Sequence, residues 1–184
     1  MRIVAGSLRG RSLSMPEGDA TRPTADRVRQ ALFDMLRHAE WAEDALDGPV
    51  LDAFAGTGAF GLEALSRGAT RATFIERDRF ALACVRANVA TCGVEAQCLV
   101  VPGDATRPSA ARDGWGAAGL VFLDPPYGGN LVAPSLAALT AKGWIGPEAL
   151  IVAEVGADEP APTGIEMLAE RRHGAARLCI WRAG

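Results

Sequence analysis

Residues 51–61 read LDAFAGTGAFG. The stretch joins the end of an apolar strand to a glycine-rich turn and the start of a helix. Val50 and Leu51 close the strand, and Asp52 stands where it stops. Gly56 and Gly58 let backbone approach a ligand with no Cβ in the way, and Gly61 lets the next helix pack closely on the strand. Amides in the first helical turn point at the glycine turn, so a polar or anionic ligand is favoured there. The same spacing also serves a plain strand–helix turn, so the rest of the chain decides between the two.

Working outward, strands alternate with helices. The helix after the glycine turn spans about 59–67 and ends at Gly68. A strand over 72–75 ends in Glu76, and Asp78 caps a helix that runs to about Cys92 and stops at Gly93. A strand over 97–101 leads into Gly103-Asp104-Ala105, and 106–118 carry no clear pattern. A strand over 120–123 ends in Asp124-Pro125-Pro126-Tyr127, followed by a helix over 131–142 and a strand over 150–154. Two last strands, near 165–170 and 177–181, join around His173-Gly174. Such alternation predicts an α/β fold: a doubly wound, Rossmann-like, mostly parallel sheet with helices on both faces, closed by an antiparallel hairpin.

Before the glycine stretch, Ile3-Val4-Ala5 and Ser12-Leu13 predict a small hairpin. Its arginines read as a solvated arm or as a phosphate-contacting appendage over residues 1–24. Thr24 or Asp26 is expected to cap a helix ending near His38, with Val28, Ala31, Leu32, Met35 and Leu36 on its apolar face. Residues 41–47 suggest a further short helix, broken by Gly48-Pro49.

The 184 residues suit one domain, 1–184, and 49% apolar with 22% charged residues are ordinary globular proportions. A net charge of -3 argues against holding nucleic acid by bulk charge alone, but leaves room for a local basic patch. Cys84, Cys92, Cys98 and Cys179 form no C-x-x-C pair and lie far in sequence from His38 and His173, so no metal is expected. The start, MRIVAGSLRGR, lacks the apolar run of a signal peptide, and no stretch reaches spanning length. A soluble, cytoplasmic protein without a membrane partner is expected.

Four strands end in or near acids: Asp52, Glu76, Asp104 and Asp124. Ligands of open parallel sheets sit at that edge. Glu76 lies 20 residues past Gly56, close to the offset at which an acid accepts hydrogen bonds from ribose hydroxyls. Asp104 suits the exocyclic amine of an adenine. A bound adenosine moiety accounts for all three early strand ends, and NAD would satisfy them equally. Asp124-Pro125-Pro126-Tyr127 separates the two. Consecutive prolines lock the backbone and remove two amide donors. Asp124 and the Pro125 carbonyl then project as acceptors beside the ring of Tyr127. That set suits a planar group bearing an amine: both N–H bonds are held, and the nitrogen lone pair is drawn out of conjugation toward attack.

With these residues in place, the chain resembles class I S-adenosylmethionine-dependent methyltransferases. Within them it is similar to the bacterial small-subunit ribosomal RNA guanine-N2 methyltransferases of the RsmD type. Arg2-Ile3-Val4-Ala5-Gly6 with Arg9-Gly10-Arg11, then Arg22-Pro23-Thr24, Asp26-Arg27-Val28-Arg29 and Ala31-Leu32-Phe33, carry the specific part of the likeness. Asp52 to Gly58 is similar to the cofactor loop and Asp124 to Tyr127 to the amino-methylating motif. The resemblance implies a seven-stranded sheet whose last strand is antiparallel. It implies S-adenosyl-L-methionine as cofactor, and an exocyclic guanine amine of 16S rRNA, within an assembling small subunit, as methyl acceptor. On this reading the cofactor is held by Asp52, Ala53, Gly56, Gly58, Glu76, Arg77, Asp104, Ala105 and Asp124. Catalysis falls to Asp124, Pro125 and Tyr127. RNA contacts fall to Arg9, Arg11, Arg22, Arg27 and Tyr127, and the protein is expected to act as a monomer. Because this cofactor has no phosphate, the glycine loop is expected to pass its amino-acid end, with Asp52 close to the ammonium.

Overall fold

The computed structural model describes residues 1–15, 23–126, 128–156, 159, 162, 165–173 and 176–184. Arg22 and Tyr127, both expected site residues, lie outside them. Four helices are described: α1 (Pro23–His38), α2 (Ala59–Arg67), α3 (Arg79–Cys92) and α4 (Val132–Ala141). Seven strands, β1 (Pro49–Ala53), β2 (Arg71–Glu76), β3 (Cys98–Pro102), β4 (Ala118–Leu123), β5 (Ile145–Gly156), β6 (Glu166–His173) and β7 (Ala176–Arg182), form one sheet in the order β3-β2-β1-β4-β5-β7-β6. β1 to β5 pair in parallel, and β7 runs antiparallel to both β5 and β6. The last strand is thus antiparallel, as the resemblance implied. It lies inside β6, which forms the edge.

The strand order reverses between β1 and β4, so a crevice opens past Ala53 and Leu123. Side chains alternate across the sheet. Val50, Phe74, Leu120, Phe122, Leu150, Val152 and Ile180 join one core, which also takes Leu32, Phe33, Leu36, Leu62 and Val85 from α1, α2 and α3. Leu51, Ile75, Val121, Leu123, Ile151 and Trp181 join the other, under Val132 and Leu139 of α4 and Trp144. Burial on both faces explains why these strands read as continuous apolar runs.

Several boundaries differ from the sequence reading. α1 starts at Pro23, whose missing N–H costs nothing in a first turn. Asp26 therefore sits inside that turn and pairs with Arg29 at 3.0 Å instead of capping the helix. In place of a helix over 41–47, a single 3₁₀ turn spans Glu40–Ala42. β5 begins at Ile145, before the expected 150, and absorbs a register shift opposite Ala118 to Leu120.

The N-terminal hairpin is reduced to one antiparallel bridge, Arg2 with Ser12. Backbone bonds of Ile3 with Arg11 and Gly10, and of Leu13 with Met1, hold its two arms together, while α2 takes the amides beyond them. The Glu63 carboxylate accepts from the amides of Val4 (2.8 Å) and Ala5 (3.0 Å), and the Ser66 carbonyl accepts from Ser7 (2.7 Å). A Cβ at Gly6 would lie 1.7 Å from the Ser66 carbonyl oxygen, so only glycine fits. Ile3 and Leu13 are buried in the first core. The segment is docked, not a free solvated arm. Glu63 is itself fully buried, between Arg29 (3.7 Å) and Arg67 (2.8 Å). Those arginines and the two amides compensate a charge that would otherwise be costly to bury. Among the described residues, no helix is long and apolar enough to cross a membrane.

Candidate active site

Past Ala53 the backbone turns sharply. Phe54 and Gly56 have φ of 66° and 56°, and Gly58, at 77°, precedes the first residue of α2. A Cβ at Gly61 would stand 2.4 Å from the Phe74 ring, so Gly61 does allow α2 to pack on β2. Two amides of this turn have carboxylate acceptors. The Gly56 amide donates to Glu76 Oε2 at 2.8 Å, and the Gly61 amide donates to Asp52 Oδ2 at 3.0 Å. Glu76 Oε1 accepts from the amides of Arg77 and Asp78, both at 2.8 Å. Carboxylates thus take two of the loop amides that could otherwise face an anion.

Asp52 lies under the loop, 1% exposed. Burial pushes its carboxyl up to about 8; the Gly61 amide opposes this, and the charges of Asp124 and Glu76 add to it. Ala53 beside it is fully buried and does not line the cleft.

The crevice holds a cleft of about 240 Å³. Phe54, Ile75, Ala105 and Pro126 form apolar walls, Glu76, Arg77, Asp78 and Asp124 a polar rim, and Gly103 a stretch of bare backbone. Glu76, Arg77, Ala105 and Asp124 of the expected set thus meet in one space. Asp104 sits between two lining residues, yet its carboxylate turns to Thr106, accepting from the amide at 2.9 Å and the hydroxyl at 2.7 Å. Those bonds, with Arg77 and Arg107 beyond them, hold its carboxyl below the usual range. Gly56 and Gly58 shape the loop and do not form the cleft wall. Pro126, part of the turn the sequence singled out, lines the cleft; sequence reasoning missed Phe54, Ile75, Asp78 and Gly103, each within two residues of an acid that it did single out.

Asp124 follows directly on β4, with Pro125 buried behind it. Its side chain is exposed to solvent in the cleft, while protein crowds the carboxyl on its other sides. That crowding, followed by the charge of Glu154, raises its pKa to about 7.

A second concavity, about 310 Å³, lies between the N-terminal segment and α1. Arg2, Arg9 and Arg27 line it, with Gln30 and Asp26. Arg11 is not among them: it donates to the Thr91 carbonyl at the end of α3, 3.0 Å away. Asn88, wholly buried in α3, ties the N-terminal segment to the glycine loop. Its amide nitrogen donates to the carbonyls of Ser14 (3.0 Å) and Thr57 (2.9 Å), and its oxygen accepts from the Ser14 amide (2.7 Å). A polar residue among Val85, Val89 and Cys92 was the available signal for it.

The family model described as conserved hypothetical protein 95 matches residues 1–182. The chain belongs to this family. It is 39% identical over 163 residues to the ribosomal RNA small subunit methyltransferase D of Escherichia coli K12, covering 89% of this chain and 78% of that protein. It is 35% identical over 186 residues to the protein of the same name from Haemophilus influenzae, covering 99% and 93%. A hypothetical protein from Thermus thermophilus superposes with a TM-score of 0.74 at 30% identity over 98% of both chains. An RNA methyltransferase from Salinibacter ruber, solved with S-adenosyl-L-homocysteine, shares the fold (TM-score 0.58, 18% identity, 89% and 92% covered). The family match spans the N-terminal segment, the glycine-rich loop and the Asp124 turn alike.

Proposed function

We propose that this protein is an S-adenosyl-L-methionine-dependent methyltransferase acting on the exocyclic N2 amine of a guanine in 16S rRNA. The relatives' names supply small-subunit ribosomal RNA as the substrate class, and the guanine amine follows from the resemblance at Asp124 to Tyr127 and the N-terminal blocks. One observation in the chain itself carries the cofactor: the Gly56 and Gly61 amides are taken by Glu76 and Asp52, and the cleft rim is mostly acidic. A pyrophosphate would be repelled there, whereas a ligand bearing an ammonium and a sulfonium is favoured. This disfavours the nicotinamide alternative.

When bound, the cofactor supplies a methyl group already activated by a cationic sulfur. The protein's share is positioning and proton handling. Glu76 accepts from the ribose hydroxyls, Phe54, Ile75 and Ala105 enclose the flat base, and the Gly103 backbone lies open beside them. Asp124 and the Pro125 carbonyl accept the two amine hydrogens. Asp124, with a pKa near neutrality, also takes the proton that the amine must shed. The target base leaves its stack to reach this edge, at a cost of about a few kcal/mol. Stacking on Tyr127 offsets roughly 1–3 kcal/mol of that. Arg2, Arg9 and Arg27, with Arg22 between them in sequence, hold the RNA backbone.

The same proposal takes residues 1–184 as one domain, an assembling small subunit in the cytoplasm as substrate, and a monomer as the acting form. Isothermal titration tests the cofactor: S-adenosyl-L-methionine should bind and NAD should not. Binding of NAD alone would overturn the reading.

A further inference from the structure

Asp124 borders two spaces. One is the cofactor cleft. The other is a narrow apolar slot beneath α1, walled by Val28, Leu32, Phe60, Phe122 and Leu178 and edged by Glu154. Phe60 and Phe122 are stacked there, with ring centroids 5.2 Å apart. The pairing of Leu123 with Ala153 sets Asp124, just past the end of β4, beside Glu154 of β5. The slot is closed down to about 10 Å³, so a base is read at its rim, by these two carboxylates, and does not sink into it.

Paired carboxylates accept hydrogen bonds and donate none when ionised. They suit a partner that presents several donors in a row. Guanine alone among the RNA bases offers a ring N–H beside an exocyclic amine on its pairing edge. Adenine and cytosine place a ring-nitrogen lone pair next to their amine. We infer that Glu154 is the residue that selects guanine: its carboxylate accepts the N1–H, while Asp124 accepts from the N2 amine. With adenine or cytosine, a lone pair would face the Glu154 carboxylate in a half-buried site. A site built to bond a donor rejects an analogue lacking it far more strongly than shape alone does. Glu154 holds the base in register and makes no bond to the cofactor, so it acts on specificity and not on methyl activation. This inference rests on the guanine-N2 reading above.

The test uses 2-aminopurine, which keeps the 2-amino group but has an unprotonated N1. Small-subunit particles are reconstituted with 16S rRNA carrying either guanosine or 2-aminopurine at the methylated position. Initial transfer rates are measured for the wild-type protein, Glu154→Gln and Glu154→Asp, with cofactor titration and thermal melting as controls for folding. The wild type should prefer guanosine by about 100-fold or more, and Glu154→Gln, whose amide can donate to N1, should narrow this to about 10-fold or less. Glu154→Asp should be slower but retain the preference. Wild-type rates within about threefold of each other would overturn the inference. So would a Gln variant in which both rates fall together and the ratio stands. Each of those leaves the proposed function intact. Absence of any transfer to the guanosine particle would overturn both.

Discussion

The Asp52 carboxylate, buried at the end of β1, accepts the Gly61 amide hydrogen at 3.0 Å across the turn of the glycine-rich loop. The acid therefore anchors the start of α2 from beneath. Its carboxyl titrates near 8, against 3.8 for an ordinary aspartate, so the folded protein keeps a proton that the unfolded chain releases. Stability contributed by that proton is full below about pH 4, falls as pH rises, and levels off above about 8. In Asp52→Asn the side-chain oxygen still receives Gly61 and no proton is at stake. The melting temperature of the wild type should drop from pH 5 to pH 9, and that of Asp52→Asn should drop less, the remainder coming from Asp124. Equal slopes would show that Asp52 is ionised in the folded state.

Glu76 accepts three amide hydrogens while facing the cleft. Glu76→Ala would leave those amides without their partner and remove the ribose acceptor. Losing a charged partner of this kind costs about 1–3 kcal/mol, so S-adenosyl-L-methionine affinity should fall roughly 10- to 100-fold by calorimetry. An unchanged affinity would remove Glu76 from the cofactor site.

Asn88 ties Ser14 of the N-terminal segment to Thr57 of the glycine loop. Asn88→Ala strands both carbonyls and should lower unfolding free energy by about 1–3 kcal/mol in urea titrations. The loop loses its tether too, so cofactor affinity should weaken in the same variant. A variant as stable as the wild type would mean that water replaces the amide at no cost.

Charge reversal at Arg2, Arg9 and Arg27 should weaken RNA binding and flatten its salt dependence by about one log unit per lost phosphate contact. Cofactor affinity should not move. Arg11→Glu should have a much smaller effect, because Arg11 points to Thr91 and away from the groove. Equal effects at Arg9 and Arg11, read by filter binding at several salt concentrations, would contradict this assignment.

The sheet was legible because its strands are uniform apolar runs ended by acids and its helices carry strong stops such as Gly68 and Gly93. The acids at the strand ends were legible as a group, but the partner of each was not. Asp52 and Asp104 read as ligand contacts in sequence, yet one is buried against Gly61 and the other is turned to Thr106. Neither bond leaves a periodic trace. Glu63, Asn88 and Glu154 went unread as functional for the same reason: each is a single polar residue in an apolar pattern, and its use depends on strands or segments distant in sequence. The N-terminal strands shortened because α2 competes for their backbone, which local propensity does not record.

The central claim is that Asp124 stands where cofactor and base meet. Label transfer from S-adenosyl-L-methionine to small-subunit particles of an unmodified strain, followed by mapping of the labelled nucleotide, tests it most directly. The wild type should label a single guanine at N2, at a rate that rises with pH toward a plateau above about 7 as Asp124 ionises. Asp124→Ala should abolish transfer while binding the cofactor within a few fold of the wild type. Label at any other atom, or an Asp124→Ala protein that keeps most of its activity, would contradict the account.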